Sequence, residues 1–295
     1  MTAAVPRLSV GIMTPPVHVD YADIARVWAE ADAVPEIEHA WLYDHLMPIG
    51  GPPDGPALEG WTLLSALAAR THRLRMGVLV TSNRLRPAAV LAKIATTVDV
   101  ISGGRLDLGI GAGSRVGHPL ARREYDAHGL PFHDAATAVE ALDEACTVLR
   151  RLWTETEPFD FHGRQVRLTG AFGSPKPVQR PGPPLLIGGS STPTLRVVAR
   201  HADLWNVPAD LDGAVARGAV LDRLCAQIGR DPATITRSTM VAIDPGDATR
   251  TRDRLARAHD AGFSHLVMGL PVPYPTGIAR WIGEEIVAPL RAAGR

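Results

Sequence analysis

The chain has 295 residues, of which 45% are hydrophobic and 21% are charged, a composition typical of an ordinary soluble globular protein. Lysine plus arginine balances aspartate plus glutamate at 31 each, so no overall charge attracts nucleic acid or an anionic membrane surface. No apolar run approaches the ~20 residues of a membrane-spanning helix, and the first residues lack a signal-peptide profile, so we expect a cytoplasmic protein.

Short apolar runs alternate with amphipathic segments along the chain. In order, the predicted strands are residues 8–13, 40–43, 75–81, 106–110, 184–187, 204–206, 236–243 and 264–268. The predicted helices are residues 21–33, 61–71, 88–101, 135–153, 193–201, 213–228, 249–261 and 276–293. Strands that are apolar on both faces are typical of a parallel sheet, and this repeat favours a closed (β/α)8 TIM barrel. A doubly wound open sheet is the alternative that the periodicity leaves open.

Two segments interrupt the repeat. Residues 44–60 form a long loop rich in glycine and proline, and residues 155–183 contain a predicted hairpin followed by a proline-rich connector. Long excursions of this kind in a barrel are usually lids or binding loops, and the active site of a barrel lies at the carboxyl ends of its strands. The residues that follow each strand are therefore the candidates for chemistry.

Asp44 and His45 directly follow the second predicted strand. An imidazole at this position could donate a proton or contact a cofactor near neutral pH. The alternative is that Asp44 caps a turn and His45 packs under the loop.

Thr81, Ser82 and Asn83 end the third predicted strand. Their small polar side chains could bond a planar heterocycle, and Arg86 nearby could meet a carboxylate or phosphate. The alternative is that these residues only form the turn before the next helix.

Two glycine-rich strand ends complete the set of candidates. Gly111, Ala112 and Gly113 close the fourth strand, where missing side chains allow a ligand to approach the backbone. The run from Gly188 to Pro193 follows the fifth strand and opens a helix, with Ser191 or Thr192 as its N-cap. A helix N-terminus preceded by glycines is a natural phosphate site, although ordinary capping is the alternative.

Other kinds of site find no support in the sequence. The histidines show no metal-ligand spacing, and neither a nucleophile elbow nor a phosphate-binding Walker loop is present. Cys146 and Cys225 fall in predicted helices, and we expect reduced core thiols rather than a disulfide.

Four stretches, in this order, resemble the bacterial luciferase-like superfamily of flavin and deazaflavin oxidoreductases. They are WLYDHLMP at 41–48, TSNRLRPAAVLAKIATTVDVISGGRLDLGIGAG at 81–113, EYDAHGLPF at 124–132 and LLIGGSSTPTLRVVARHADLWN at 185–206. The resemblance implies one TIM-barrel domain over residues 1–295 with a lid-like insertion at about 155–183. Dimers are common among such proteins, so a homodimer is possible.

The resemblance also implies roles for the candidate residues. Asp44 and His45 match a pair beside the cofactor ring, with His45 as the proton donor and His118, His128 or Tyr125 as substitutes. The strand-end residues match the walls of the cofactor cleft and the phosphate-binding turn; they are Thr81, Ser82, Asn83, Gly111, Ala112, Gly113, Ser114, Gly188, Gly189 and Ser190. In relatives a non-prolyl cis peptide can form a bulge behind the ring, which here would fall around residues 78–80.

The motifs look most like the F420-dependent branch of the superfamily. The resemblance therefore implies hydride transfer between C5 of coenzyme F420 and a small organic molecule such as an imine, an enone or an alcohol. One alternative is an FMN-dependent monooxygenase, and another is a non-catalytic flavin-binding barrel. No metal ligands are expected.

Overall fold

The computed structural model describes residues 7–113, 117, 119–207 and 210–294. In chain order the strands are β1 (Ser9–Met13), β2 (His39–Leu42), β3 (Arg75–Val78), β4 (Thr81–Ser82), β5 (Leu106–Gly111), β6 (Phe159–His162), β7 (Arg167–Ala171), β8 (Leu185–Gly188), β9 (Leu204–Val207), β10 (Thr236–Ala242) and β11 (His265–Gly269). The helices are α1 (Tyr21–Asp32), α2 (Gly60–Ala68), α3 (Ala88–Ser102), α4 (Pro119–Ala127), α5 (Ala135–Thr154), α6 (Thr192–His201), α7 (Leu211–Gln227), α8 (Ala248–Asp260), α9 (Ile278–Trp281) and α10 (Ala288–Ala292).

The parallel strands close into a barrel, which confirms the predicted TIM-barrel fold. The order around the barrel is β3, β2, β1, β11, β10, β9, β8 and β5, and β5 pairs back to β3 to close the ring. The helices pack outside this ring, because each parallel crossover places its helix on the outer face of the sheet. Closure excludes the open doubly wound sheet that periodicity alone left possible.

The third predicted strand is interrupted rather than continuous. β3 ends at Val78, the peptide bond between Leu79 and Val80 is cis, and β4 resumes at Thr81 to pair with the end of β5. The cis bond lies where the resemblance placed one. This break alters which residues of the segment face the barrel axis.

Apolar side chains fill two layers. Inside the barrel, a small cluster contains Met13, Trp41, Leu79, Leu186 and Val267. A much larger cluster lies between the strands and the helices that surround them. Cys146 and Cys225 are buried and unpaired, as the sequence led us to expect. Among the described residues, no helix is both long and apolar enough to cross a membrane.

The insertion occupies its predicted residues, but it is not placed as a lid. Its antiparallel hairpin, β6 and β7, joins α5 through Glu144, which accepts hydrogen bonds from three backbone N–H groups of the hairpin turn. Its connector reaches the amino end of β5, where Gln179 Nε2 donates to Leu106 O at 2.6 Å. The insertion thus lies against the helices and the amino ends of the strands, and the loop of residues 44–60 is the excursion at the carboxyl ends.

Candidate active site

A cavity of about 550 Å3 opens at the carboxyl ends of the strands. Strand ends and the loops that follow them supply most of its wall, and α4 and α5 supply the rest. The lining residues used below are Tyr43, Asp44, His45, Leu79, Val80, Ser82, Arg84, Gly111, Ala112, Gly113, Glu124, Tyr125, Gly188, Gly189, Ser190, Asn206 and Met240. Another cavity of about 550 Å3 lies between α2 and α3 outside the barrel, and among the described residues no strand contributes to its lining.

Asp44 is held in a buried ion pair at the edge of this cavity. Its carboxylate accepts from Arg86 Nη1 at 2.6 Å and Nη2 at 3.0 Å, and from the hydroxyl of Thr81. Arg86 also pairs with Glu59, and Trp61 Nε1 donates to Thr81 Oγ1 at 3.1 Å. Burial lowers the pKa of Arg86, but the hydrogen bonds and charges of Asp44 and Glu59 together outweigh burial and raise the pKa. Asp44 therefore positions the end of β2, and Arg86 meets carboxylates rather than a phosphate.

His45 forms a pair with Glu124, a residue to which the sequence gave no role. Its Nδ1 lies 3.2 and 3.1 Å from the two oxygens of Glu124, which also accepts from Leu46 N at 2.6 Å. The side chain of Glu124 is only 1% exposed. With Nδ1 donating to the carboxylate, Nε2 is the ring nitrogen left for a ligand in the cavity. The ring of Tyr43 packs edge-on against His45, and burial together with Glu124 raises the pKa of Tyr43 to about 12.

The three residues predicted to end the third strand do not all face the cavity. Ser82 lines the cavity and shares a hydrogen bond of 2.7 Å with the hydroxyl of Tyr125. Thr81 is fully buried and faces Asp44 and Trp61 instead. Asn83 bridges β5 and α5, with Nδ2 donating to Gly111 O at 3.1 Å and Oδ1 accepting from Leu142 N at 2.8 Å in the orientation that satisfies both groups. Ser82 is thus the cavity-facing member of the three.

Tyr125 from α4 and Arg84 line one wall of the cavity, and Phe132 packs against both. Burial raises the pKa of Tyr125, so its hydroxyl stays neutral. The guanidinium of Arg84 lies 4.9 Å from the ring centroid of Tyr125 and 5.0 Å from that of Phe132. Of the other two predicted substitutes, His128 places Nδ1 2.7 Å from the backbone oxygen of Glu124, whereas His118 lies outside the described residues.

Two glycines leave room for Val80 at the base of the cavity. A Cβ atom built on Gly111 would lie 2.9 Å from Val80 Cγ2, and one built on Gly188 would lie 3.0 Å from Val80 Cγ1. Leu79 and Val80 therefore form a raised apolar surface between the ends of β5 and β8. Ala112 and Gly113 continue this wall, whereas Ser114 lies outside the described residues.

The turn after β8 joins the cavity to the N-terminus of α6. Gly189 has a φ of +142°, and its backbone is fixed by Trp205 Nε1, which donates to Gly189 O at 2.8 Å. Ser191 is the N-cap and accepts from Thr194 N at 3.2 Å. Gly188, Gly189 and Ser190 line the cavity immediately before this helix. The turn thus presents the start of a helix dipole to the cavity, as an anion site requires.

Strands β9 and β10 add lining residues to which the sequence analysis gave no role. Asn206 from β9 and Met240 from β10 face the same space. Asn206 is the last residue of the stretch 185–206 and Met240 belongs to none of the quoted stretches, but the inward-facing position of both on barrel strands could have suggested them.

Comparison with known proteins identifies the family. The chain belongs to the luciferase-like monooxygenase family, whose profile matches residues 4–276. A curated relative, the uncharacterized protein Rv0940c of Mycobacterium tuberculosis (strain ATCC 25618 / H37Rv), is 32% identical over 227 residues, covering 75% of this chain and 71% of the relative.

Solved structures with the same fold include enzymes of both cofactor types. An F420-dependent secondary alcohol dehydrogenase in complex with an F420-acetone adduct superposes with a TM-score of 0.85 and 17% identity, over 97% of this chain and 99% of the other. Riboflavin lyase (RcaE) with modified FMN and riboflavin gives a TM-score of 0.79 and 15% identity, over 98% and 92% of the two chains. At these identities the likeness concerns the fold.

Proposed function

We propose that this chain is an F420-dependent oxidoreductase that transfers hydride between C5 of the deazaflavin and a small organic substrate such as an imine, an enone or an alcohol. The observation that carries the proposal is a single cavity that contains the His45–Glu124 pair and also opens onto the N-terminus of α6. A proton-transfer group and an anion site in one space are what such a cofactor and reaction require.

The residues present fit the cofactor. Gly188, Gly189 and Ser190, with the start of α6, would hold a phosphate, and the raised surface of Leu79 and Val80 would back a flat ring. A side chain at Gly111 or Gly188 would push against this surface, so the glycines keep space for a planar ligand. When bound, F420 supplies a two-electron hydride donor or acceptor at C5.

His45 would handle the proton of the reaction. Because Glu124 engages Nδ1, Nε2 would accept the hydroxyl proton during alcohol oxidation and would give a proton during imine or enone reduction. Tyr43 and Tyr125 stay neutral because burial raises the pKa of both hydroxyls. The largely apolar wall keeps water from the reacting carbon.

Two kinds of similarity favour F420 over FMN. The stretches around Asp44–His45, the glycine-rich end of β5 and residues 124–132 resemble the F420-dependent branch. An F420-dependent alcohol dehydrogenase is also among the solved structures that share the fold, with a TM-score of 0.85.

The second candidate function is FMN-dependent monooxygenation, which the description of the family itself favours. The two candidates separate in an anaerobic turnover assay with F420 or reduced F420 and a panel of secondary alcohols, cyclic imines and enones, run beside an oxygen-uptake assay with reduced FMN. The proposal expects anaerobic turnover that depends on F420. Substrate-dependent oxygen uptake with reduced FMN, and no F420 turnover, would make monooxygenation the function.

A non-catalytic flavin-binding barrel is the other alternative, and it predicts a third set of results in these assays. It would bind a cofactor without turnover on any substrate of the panel, and the His45→Ala variant would match the wild type in every assay.

A further inference from the structure

A chain of hydrogen bonds runs through the barrel interior beneath the cavity and ends at Asn206. Asn206, Ser238 and His265 are register partners on the neighbouring strands β9, β10 and β11. Asn206 Nδ2 donates to Ser238 Oγ at 3.0 Å, and Ser238 Oγ lies 2.8 Å from His265 Nδ1. All three residues are at most 5% exposed.

The bond that Asn206 donates sets the direction of the next bond. The oxygen of Ser238 already accepts from Asn206 Nδ2, so the hydroxyl proton of Ser238 is directed to Nδ1 of His265. The ring of His265 stacks on that of His39 with centroids 3.9 Å apart and an interplanar angle of 10°. Burial lowers the pKa of His265 to about 4 and also lowers that of His39, which agrees with a neutral ring that accepts at Nδ1.

These hydrogen bonds fix which end of the Asn206 amide faces the cavity. The two ends of an amide have nearly the same shape, so only hydrogen bonds decide their orientation. Nδ2 is committed to Ser238, which is the one side-chain hydrogen bond that Asn206 makes within the described part of the chain. Asn206 lines the cavity, so its free group there is an acceptor.

We propose that Asn206 is a ligand-binding residue, held by Ser238 and His265 so that its amide oxygen accepts a hydrogen bond from an N–H or O–H group of the molecule in the cavity. This inference rests on the proposed function only in taking the cavity as the binding site. The donor comes either from the imide N–H of a flavin or deazaflavin ring or from a hydroxyl or amine of the substrate. A ligand with only acceptors at this point would leave two acceptors facing each other, which is unfavourable.

The test compares four proteins: wild type, Asn206→Leu, Ser238→Ala and the matched control Thr239→Val. Thr239 is the next residue of β10 after Ser238. Its buried hydroxyl donates to Val207 O on the neighbouring strand and takes no part in the hydrogen bonds that link Asn206, Ser238 and His265. The probes are F420 and FMN, each with its N3-methylated counterpart, titrated by fluorescence after thermal denaturation shows that every variant is folded.

If the donor is the imide N–H, wild type binds the natural cofactor about tenfold more tightly than the methylated one, because methylation removes the donor. Asn206→Leu loses this preference, Ser238→Ala reduces it, and Thr239→Val keeps it. If the donor belongs to the substrate, cofactor affinity is unchanged in Asn206→Leu while KM rises about tenfold with kcat nearly constant.

Equal cofactor affinity and equal KM in wild type and Asn206→Leu would overturn this inference alone. Failure of the wild type to bind either natural cofactor would overturn the proposed function and the inference with it, so the two failures are distinguishable.

Discussion

The partner of His45 decides what this side chain can do. A histidine at a strand end can pack under a loop or face a ligand, and here Glu124 holds Nδ1 from α4 while the ring lines the cavity. The same carboxylate accepts from Leu46 N, so one buried group positions both the backbone of the loop and the ring of His45. Such a pair maintains one tautomer and one orientation.

Loss of Glu124 is expected to reduce turnover without preventing cofactor binding. His45→Ala should lower kcat about 100-fold, since a positioned general acid or base contributes at least this much. Glu124→Gln should lower kcat less, about tenfold, because the imidazole remains but loses its fixed orientation. Steady-state kinetics and cofactor titration measure both effects. The control is Asp126→Asn, an exposed carboxylate on the same helix that pairs with Arg122; a matching loss there would contradict the account.

The His39–His265 stack makes folding sensitive to acid. The pKa of His265 is about 4 in the folded protein against 6.5 ordinarily, so the unfolded chain binds the proton more readily between these values. The stabilisation is complete above pH 6.5 and is lost as the pH falls to about 4. It amounts to about 3 kcal/mol for this group, and the lowered pKa of His39 acts in the same direction.

Chemical denaturation across this range measures the effect. His265→Asn keeps an oxygen that can accept from Ser238 but has no proton to bind, so its free energy of unfolding should fall less steeply between pH 6.5 and 4. If the free energy of unfolding falls equally steeply with pH in the wild type and in His265→Asn, His265 does not titrate in the folded state as described.

At the scale of elements, the ends of β5 and β8 require glycine, because a side chain at Gly111 or Gly188 would collide with Val80. Gly111→Ala should push Val80 toward the cavity, since the added Cβ would lie 2.9 Å from Val80 Cγ2. We expect a loss of about 1–3 kcal/mol in stability from overpacking and a clear loss of cofactor affinity. Gly269→Ala is the matched control at the end of β11, where the added Cβ would be 3.9 Å from Met240 Cε. Equal behaviour of the two variants, by denaturation and titration, would contradict this account.

We propose that Asp44 ties the end of β2 to β4 and α2 through Thr81, Arg86 and Glu59 and takes no part in the chemistry. Because its charge is paired and buried, Asp44→Asn should lower the free energy of unfolding by about 3 kcal/mol. Asp54→Asn, which breaks the exposed pair with Arg123, should cost less than about 1 kcal/mol. Urea denaturation compares them. An Asp44→Asn variant of unchanged stability but greatly reduced kcat would assign this carboxylate to catalysis instead.

The sequence predicted the elements well because the apolar periods of strands and helices differ clearly. It also placed His45 and the glycine-rich turns correctly at strand ends, since the carboxyl ends of parallel strands meet at one face of a barrel. The orientation of Thr81 could not be read from the sequence, because its partners Asp44 and Trp61 lie 37 and 20 residues away along the chain. Glu124 could not be paired with His45 either, since 79 residues separate them and the path of the intervening chain decides the contact.

In the molecule as a whole, the insertion and the candidate active site lie at opposite ends of the barrel. The insertion of residues 155–183 covers outer helices and the amino ends of strands, where the partly exposed Arg75 pairs with the buried Asp107. The cavity at the opposite end is lined by strand ends, loops and residues of α4, α5 and α6. This division is usual for the fold.

The central claim is the identity of the cofactor, and the most direct measurement is a fluorescence titration of the purified protein with F420 and, separately, with FMN. The account predicts micromolar or tighter binding of F420 and much weaker binding of FMN. Tight binding of FMN with weak binding of F420 would contradict it, and the role of His45 as a proton partner in hydride transfer would then be withdrawn as well.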